Sequence, residues 1–238
     1  MSETPKKKAA PRKPKAAAPG VEAPKVEKKD DAALKAQVLE AALPHAAFDG
    51  FTDKVLENAG KEAGLDKAGT LRLFPEGPLG LVEFYSVTVD AEMDQRLAAM
   101  NLPGMKVRAR ISEAVKTRLA ILKRHKEAAR RAAALLSLPM HAGLAARLLY
   151  RTVDAMWWAA GDVSTDFNFY TKRGILAGVY GSTLVRWFAD TDPAEAATDA
   201  FLAARIENVM QFEKFKAKAK DALSNFPAFA DWAKPKPK

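Results

Sequence analysis

An all-α fold is predicted by three observations. Apolar residues recur three and four positions apart through most of the chain, and no segment keeps the alternating pattern of a half-buried strand. Proline, glycine and capping side chains punctuate that pattern at helix-length intervals. With 238 residues the chain can bury a core in one or two domains.

Taken in order, residues 1–30 are rich in Lys, Ala and Pro and nearly devoid of large apolar side chains. They offer too little apolar area to offset the entropy of ordering, so a disordered tail is expected, serving either an anionic surface or solubility. From residue 31 helices follow. Leu34, Val38, Leu39 and Ala42 share a helical face that Pro44 is expected to end. Thr52 caps a second helix running to about Ala63, with Gly64 as its stop, and a short third helix spans Asp66 to Phe74. A longer helix is expected from Pro78 to Met100. Another covers residues 105–137, with Val107, Ile111, Val115, Leu119 and Leu122 on one face. Its other face is basic, with ten Lys/Arg between Lys106 and Arg131, and by default such a run faces solvent. After Pro139 a helix reaches about Ala160, and a further one runs from near Thr165 to near Ala189. Asp192, Pro193 and Glu195 read as N-cap, N1 and N3 of the last helix.

The net charge is +9, and residues 1–30 and 214–238 each contribute +5 while the remainder is nearly neutral. Anionic partners are therefore expected at the ends of the chain rather than on the fold. Cysteine is absent, which excludes disulfides, thiolate metal sites and cysteine nucleophiles. His45, His125 and His141 stand apart from one another and from any metal-binding pattern, so neither a metal centre nor a cofactor is expected. No apolar stretch is long enough to span a bilayer. Neither a secretory signal nor a presequence is expected, since Glu3, Pro5, Pro11 and Pro14 oppose an amphipathic leader.

Residues 153–173 depart furthest from generic helix composition, interleaving five aromatic rings with carboxylates and two terminal cations around Gly161-Asp162. Rings supply buried area and polar groups fix orientation, so this junction suits recognition of a partner or ligand; an aromatic core seam with a capped helix start is the alternative.

Two resemblances follow from particular strings. Gly50-Phe51-Thr52 and Ala63-Gly64-Leu65-Asp66, continuing to Leu73-Phe74-Pro75, resemble the helix-turn-helix of TetR-type regulators. Yet Lys61, Lys67 and Arg72 are matched by Glu62, Asp66 and Glu76, and the family's phosphate-touching aromatic near Arg72 is missing. Phosphate contacts supply most affinity for DNA, so DNA is not an expected partner. The second half, from Leu138-Pro139 through the 153–173 stretch to Tyr180-Gly181-Ser182-Thr183 and Arg205-Ile206-Glu207-Asn208, resembles the coenzyme Q biosynthesis protein nine family. That family is TetR-like and lipid-binding.

The resemblance implies a non-enzymatic accessory protein of ubiquinone biosynthesis, with four parts. These are the tail 1–30, a helix-turn-helix-like module 31–77, a helical lipid-binding domain 78–213 and a basic amphipathic segment 214–238. It implies isoprenoid quinone precursors and phospholipid as ligands, and a homodimer. It also implies a hydroxylase partner of the di-iron demethoxyubiquinone type. The implied partner face comprises Met156, Phe169 and Tyr170, with Asp166 as a contact or a helix cap. Lys172 and Arg173 either pair with partner carboxylates or lipid phosphate, or lie on a solvated face. Trp157 and Trp158 are assigned to pocket or core, with Leu176, Val179, Tyr180 and Thr183 as further lipid contacts. Phe226, Phe229 and Trp232 are the expected membrane anchors, with docking onto the body as the alternative. A cytoplasmic location at the inner membrane of a bacterium is expected. The competing reading is a TetR-type regulator that binds DNA and a lipidic effector.

Overall fold

The computed structural model describes the backbone of residues 25–163 and 167–224, and the side chains of 30–163 and 169–211. Among these residues the regular structure is α-helix joined by short 3-10 turns. The helices are α1 (Lys25–Asp49), α2 (Asp53–Glu62), α3 (Lys67–Leu73), α4 (Pro78–Ala98), α5 (Val107–Leu122), α6 (Lys126–Leu136), α7 (Ala142–Ala159), α8 (Phe167–Ala189) and α9 (Ala196–Ser224).

The front module is set by its caps. Thr52 accepts from the Val55 N–H and Asp66 from the Gly69 N–H, which fixes the starts of α2 and α3. Gly64 takes φ +76° and sends the chain sharply into α3. Gly60 and Thr70 hold the two helices close, because a Cβ on Gly60 would lie 2.0 Å from the Thr70 hydroxyl. Helix α1 packs on α2, α4 and α6, tying this module to the rest. The larger body pairs α4 with α5 and α7, α7 with α8, and α8 with α9.

Four expectations about elements are corrected. Helix α1 begins at Lys25, so the last six residues of the expected tail are helical, while residues 1–24 lie outside the described residues. It also continues through Pro44. Pro44 is exposed while Leu43 and Ala46 are buried beside it, so packing of the buried face outweighs the missing N–H on the solvent face. The single helix expected over 105–137 is two, because a 3-10 turn at Lys123–His125 separates α5 from α6. Lastly, α9 starts at Ala196 rather than at Pro193.

The reason for that last shift is a cap supplied from a distance. The Asp190 carboxylate accepts from both the backbone N–H and the hydroxyl of Thr198, at 3.0 and 2.6 Å. Glu195 occupies the left-handed region at φ +53° and accepts from the Trp187 indole N–H at 2.8 Å. Basic residues expected to face solvent clamp the same corner. Lys123 donates to the Pro193 carbonyl at 2.8 Å, and Lys126 donates to the Asp190 carbonyl at 2.6 Å while lying over the Trp187 ring. Lys116 pairs with Asp199 on α9 at 2.8 Å. Much of the basic run thus fastens α9 and the turn before it onto the body.

Hydrogen bonds from Thr198, and from the backbone of Asp192 and Thr198, hold the Asp190 carboxyl below its ordinary value of 3.8. A lowered native pKa means that this contribution is complete above 3.8 and is lost as pH falls through the lowered value. Thermal unfolding of Asp190→Ala is expected to show a Tm roughly 2–4 °C lower at neutral pH. That gap should narrow below pH 3.8; a constant gap would contradict the assignment.

Candidate ligand cavity and partner face

The Gly161-Asp162 break is a helix stop with a purpose. Gly161 adopts φ +83°, its N–H bonds the Trp158 carbonyl, and the Asp162 N–H bonds the Trp157 carbonyl. This double bond pattern ends α7, and glycine meets the left-handed conformation without a Cβ penalty. Arg110 reaches across from α5 to bond the Ala160 carbonyl at 2.9 Å. The turn directs the Asp162 carboxylate back at α8.

There it meets two cations. Arg173 bonds Asp154 on α7 at 2.5 Å and Asp162 at 3.1 Å, and its guanidinium lies 3.3 Å from the Phe169 ring centre. Lys172 bonds Asp162 at 2.7 Å and lies over the Trp157 ring at 5.5 Å. The Arg173 and Asp162 side chains are only 2% and 4% exposed. At such burial, opposite charges must be paired, because isolated ones would be strongly desolvated. The Trp157 indole donates to the Lys172 carbonyl at 3.1 Å, closing the α7–α8 seam.

Below this seam, α5, α7, α8 and α9 line a cavity of about 550 Å³ that opens to the surface. Ile111, Trp157, Leu176, Val179, Ile206 and Val209 form its walls, with Met210 and Val107 at the exposed rim. Lys106 and Arg108 line the same cavity from the start of α5. The cavity is therefore almost wholly apolar, with cations at one end.

Placement of the sequence-derived residues is uneven. Trp157, Leu176 and Val179 line this cavity. Tyr180 turns instead to a second cavity, on the other side of α8. Thr183 is fully buried and donates to the Val179 carbonyl at 2.7 Å, so it meets neither cavity. Trp158, assigned to pocket or core, is 63% exposed beside a shallow groove between α4 and α7. The reason is phase: Trp157 and Trp158 are adjacent on α7, so only one can face inward.

On the face expected for a partner, Tyr170 is 67% exposed and its ring meets Phe169 edge-on. Met156 is wholly buried in the core, and Arg173 is engaged with two carboxylates inside the fold. Neither is presented to a partner in this structure, and Arg173 does not lie on a solvated face. Lys172 keeps a partly exposed ammonium while pairing with Asp162. Asp166, Phe226, Phe229 and Trp232 lie outside the described residues.

Sequence reasoning missed a buried cluster of Asp90, Arg118, Thr152 and Tyr180. A signal was available, since Arg118 falls on the helical stripe of Ile111, Val115 and Leu122.

A helix-turn-helix module joined to a larger cavity-bearing helical body defines the TetR-like class. The crystal structure of the TetR transcriptional regulator from Nitrosomonas europaea ATCC 19718 is similar, with a TM-score of 0.60 and 17% identity, covering 74% of this chain and 97% of that one. That likeness concerns the fold alone. The COQ9 family model matches residues 142–213, the span holding the α7–α8 seam, so the chain carries a COQ9 family domain there. It is 32% identical to "Ubiquinone biosynthesis protein COQ9, mitochondrial" of Bos taurus, over 74% of this chain and 57% of that protein. The protein of the same name from Homo sapiens is 31% identical over 74% of this chain and 58% of its own length. That from Drosophila melanogaster is 28% identical over 82% and 60%. The chain thus spans about three fifths of these relatives' length. They overturn the expected location at a bacterial inner membrane, because each is named as a mitochondrial protein of a eukaryote.

Arg173→Ala is expected to lower unfolding free energy by about 3–5 kcal/mol, since it strips two carboxylates of their shared guanidinium. Lys172→Met, at a half-exposed position, should cost about 1 kcal/mol or less. Denaturant melts of the two variants check this, and equal losses would contradict the distinction.

Proposed function

We propose that the chain is a non-catalytic, lipid-binding accessory protein of ubiquinone biosynthesis. It holds the isoprenoid chain of a quinone precursor and presents it to a membrane-associated hydroxylase of the di-iron demethoxyubiquinone type. The observation that carries this reading is the apolar cavity of about 550 Å³ between α5, α7, α8 and α9. A prenyl chain is poorly soluble, and each buried CH₂ contributes about 0.8 kcal/mol. An apolar space of this size shields several such groups from water. Lys106 and Arg108 suit the phosphate of a phospholipid taken up in the same way. The names of the relatives support the pathway.

Tyr170, exposed and braced by the half-buried Phe169 ring at the start of α8, supports the hydroxylase contact, because an exposed aromatic ring held in place is the chemistry of an interface anchor. Residues 214–238, with seven Lys together with Phe226, Phe229 and Trp232, are proposed to hold the protein at an anionic bilayer. The TetR-like fold also admits a DNA-binding regulator. Against it, Lys61 and Lys67 both face Glu57, and Arg72 is paired with Asp31, so the reading head is charge-compensated.

Native mass spectrometry of protein exposed to membranes is expected to show bound prenyl lipid or phospholipid. Ile206→Trp, which fills the cavity, should remove most of it while the circular dichroism spectrum is kept. Retention of lipid by that folded variant would contradict the assignment. Tyr170→Lys should weaken hydroxylase capture in a pull-down by about tenfold or more, with an unchanged melting curve.

A further inference from the structure

The apolar cavity opens to the surface between α5 and α9, where Val107 and Met210 stand exposed at its rim. Apolar surface around an open mouth favours a cover. Three features of the chain point to which cover fits.

The first is register. Ile206, Val209 and Met210 carry α9 along the cavity. In the sequence the same helical row continues as Glu213, Lys216, Ala217 and Lys220, so the apolar row stops at the rim. The backbone nevertheless runs on as helix to Ser224.

The second is reach. From Met210 to Ser224 the helix rises about 21 Å. Asn225 and Pro227 follow, residue types that end helices and turn chains. From Ser224 to Trp232 an extended chain covers about 26 Å. A segment doubling back beside α9 therefore returns Trp232 to the rim.

The third is charge. Lys106 and Arg108 line the cavity from the start of α5. Lys106 has no acidic partner among the described residues, and Arg108 has Glu207, at 3.9 Å. Helix α5 starts there with neither a side-chain cap nor an acidic residue in its first turn, so its N-terminus also favours a carboxylate. Residues 225–233 carry a single charge, the Asp231 carboxylate, directly beside Trp232.

We propose that the cavity mouth is a docking site for this chain's own segment 225–233. Trp232 seats between Val107 and Met210, and Asp231 pairs with Lys106 and Arg108. The docking stands by itself, whereas its consequence rests on the membrane role proposed above for the same residues. One segment cannot occupy the mouth and a bilayer together. Away from an anionic membrane the cavity is plugged, and at the membrane it is open, which confines lipid uptake to protein that has reached the bilayer.

Cysteine is absent from the chain, so Val107→Cys combined with Ala233→Cys in the full chain provides one disulfide within a molecule. With diamide and no lipid, it is expected to form about tenfold faster than one joining Ala233→Cys to Phe48→Cys on α1, which packs on α2, α4 and α6. Trp232→Ser should slow the first disulfide about fivefold. Asp231→Lys should slow it about threefold, and adding Lys106→Glu and Arg108→Glu should restore the rate. Phosphatidylglycerol vesicles should suppress it. A rate no faster than the Phe48 control, a disulfide joining two chains, or failure of the charge exchange to restore the rate would overturn the docking. A rate unchanged by vesicles would overturn the exchange with the bilayer. Absence of bound lipid in mass spectrometry with the disulfide intact would remove the proposed function and leave the docking in place.

Discussion

A guanidinium held between two carboxylates fixes the geometry on which the rear half of this protein depends. Arg173 of α8 grips Asp154 within α7 and Asp162 just beyond its end. Gly161 makes that possible, because only a left-handed residue there turns Asp162 back toward α8. Once the two helices are locked, Trp157 is held over one cavity and Tyr170 is left on the outside. The same residues that look like a recognition motif in the sequence are, for the most part, the fastening between α7 and α8. Charge here serves register and orientation, since burying an ion pair adds little net stability by itself.

This distinction explains what was legible in the sequence. The all-α class, the starts of α2 and α3 and the stop at Gly64 follow from local chemistry, and local chemistry is what a sequence displays. The 153–173 stretch was legible as special because its composition departs from ordinary helix. Its roles were not, because burial is decided by helix phase against neighbours distant in the chain. Adjacent tryptophans at 157 and 158 face opposite environments for that reason. Pro44 and the start of α9 went the same way. A buried face outweighed proline's missing donor, and a carboxylate at Asp190 capped a helix that begins six residues later.

The long basic run on α5 and α6 shows a related effect. Read along the chain it is a solvated surface. In three dimensions Lys116, Lys123 and Lys126 reach α9 and the turn before it, and Arg118 enters the core to meet Asp90. Fastening α9 against α5 and α8 is what closes the outer wall of the apolar cavity, through Ile206 and Val209. The body thus carries two cavities separated by α8, one almost free of polar groups and one with Ser86, Arg118, Thr152 and Tyr180 in its lining.

The account stands on the first of these spaces being occupied by an apolar chain. A crystal structure of the protein soaked with a short-chain prenyl quinone tests it most directly. The account predicts continuous density for the prenyl chain running past Ile111, Leu176, Val179 and Ile206 toward Met210. Side chains closed upon one another there, with the quinone bound elsewhere or absent, would contradict it.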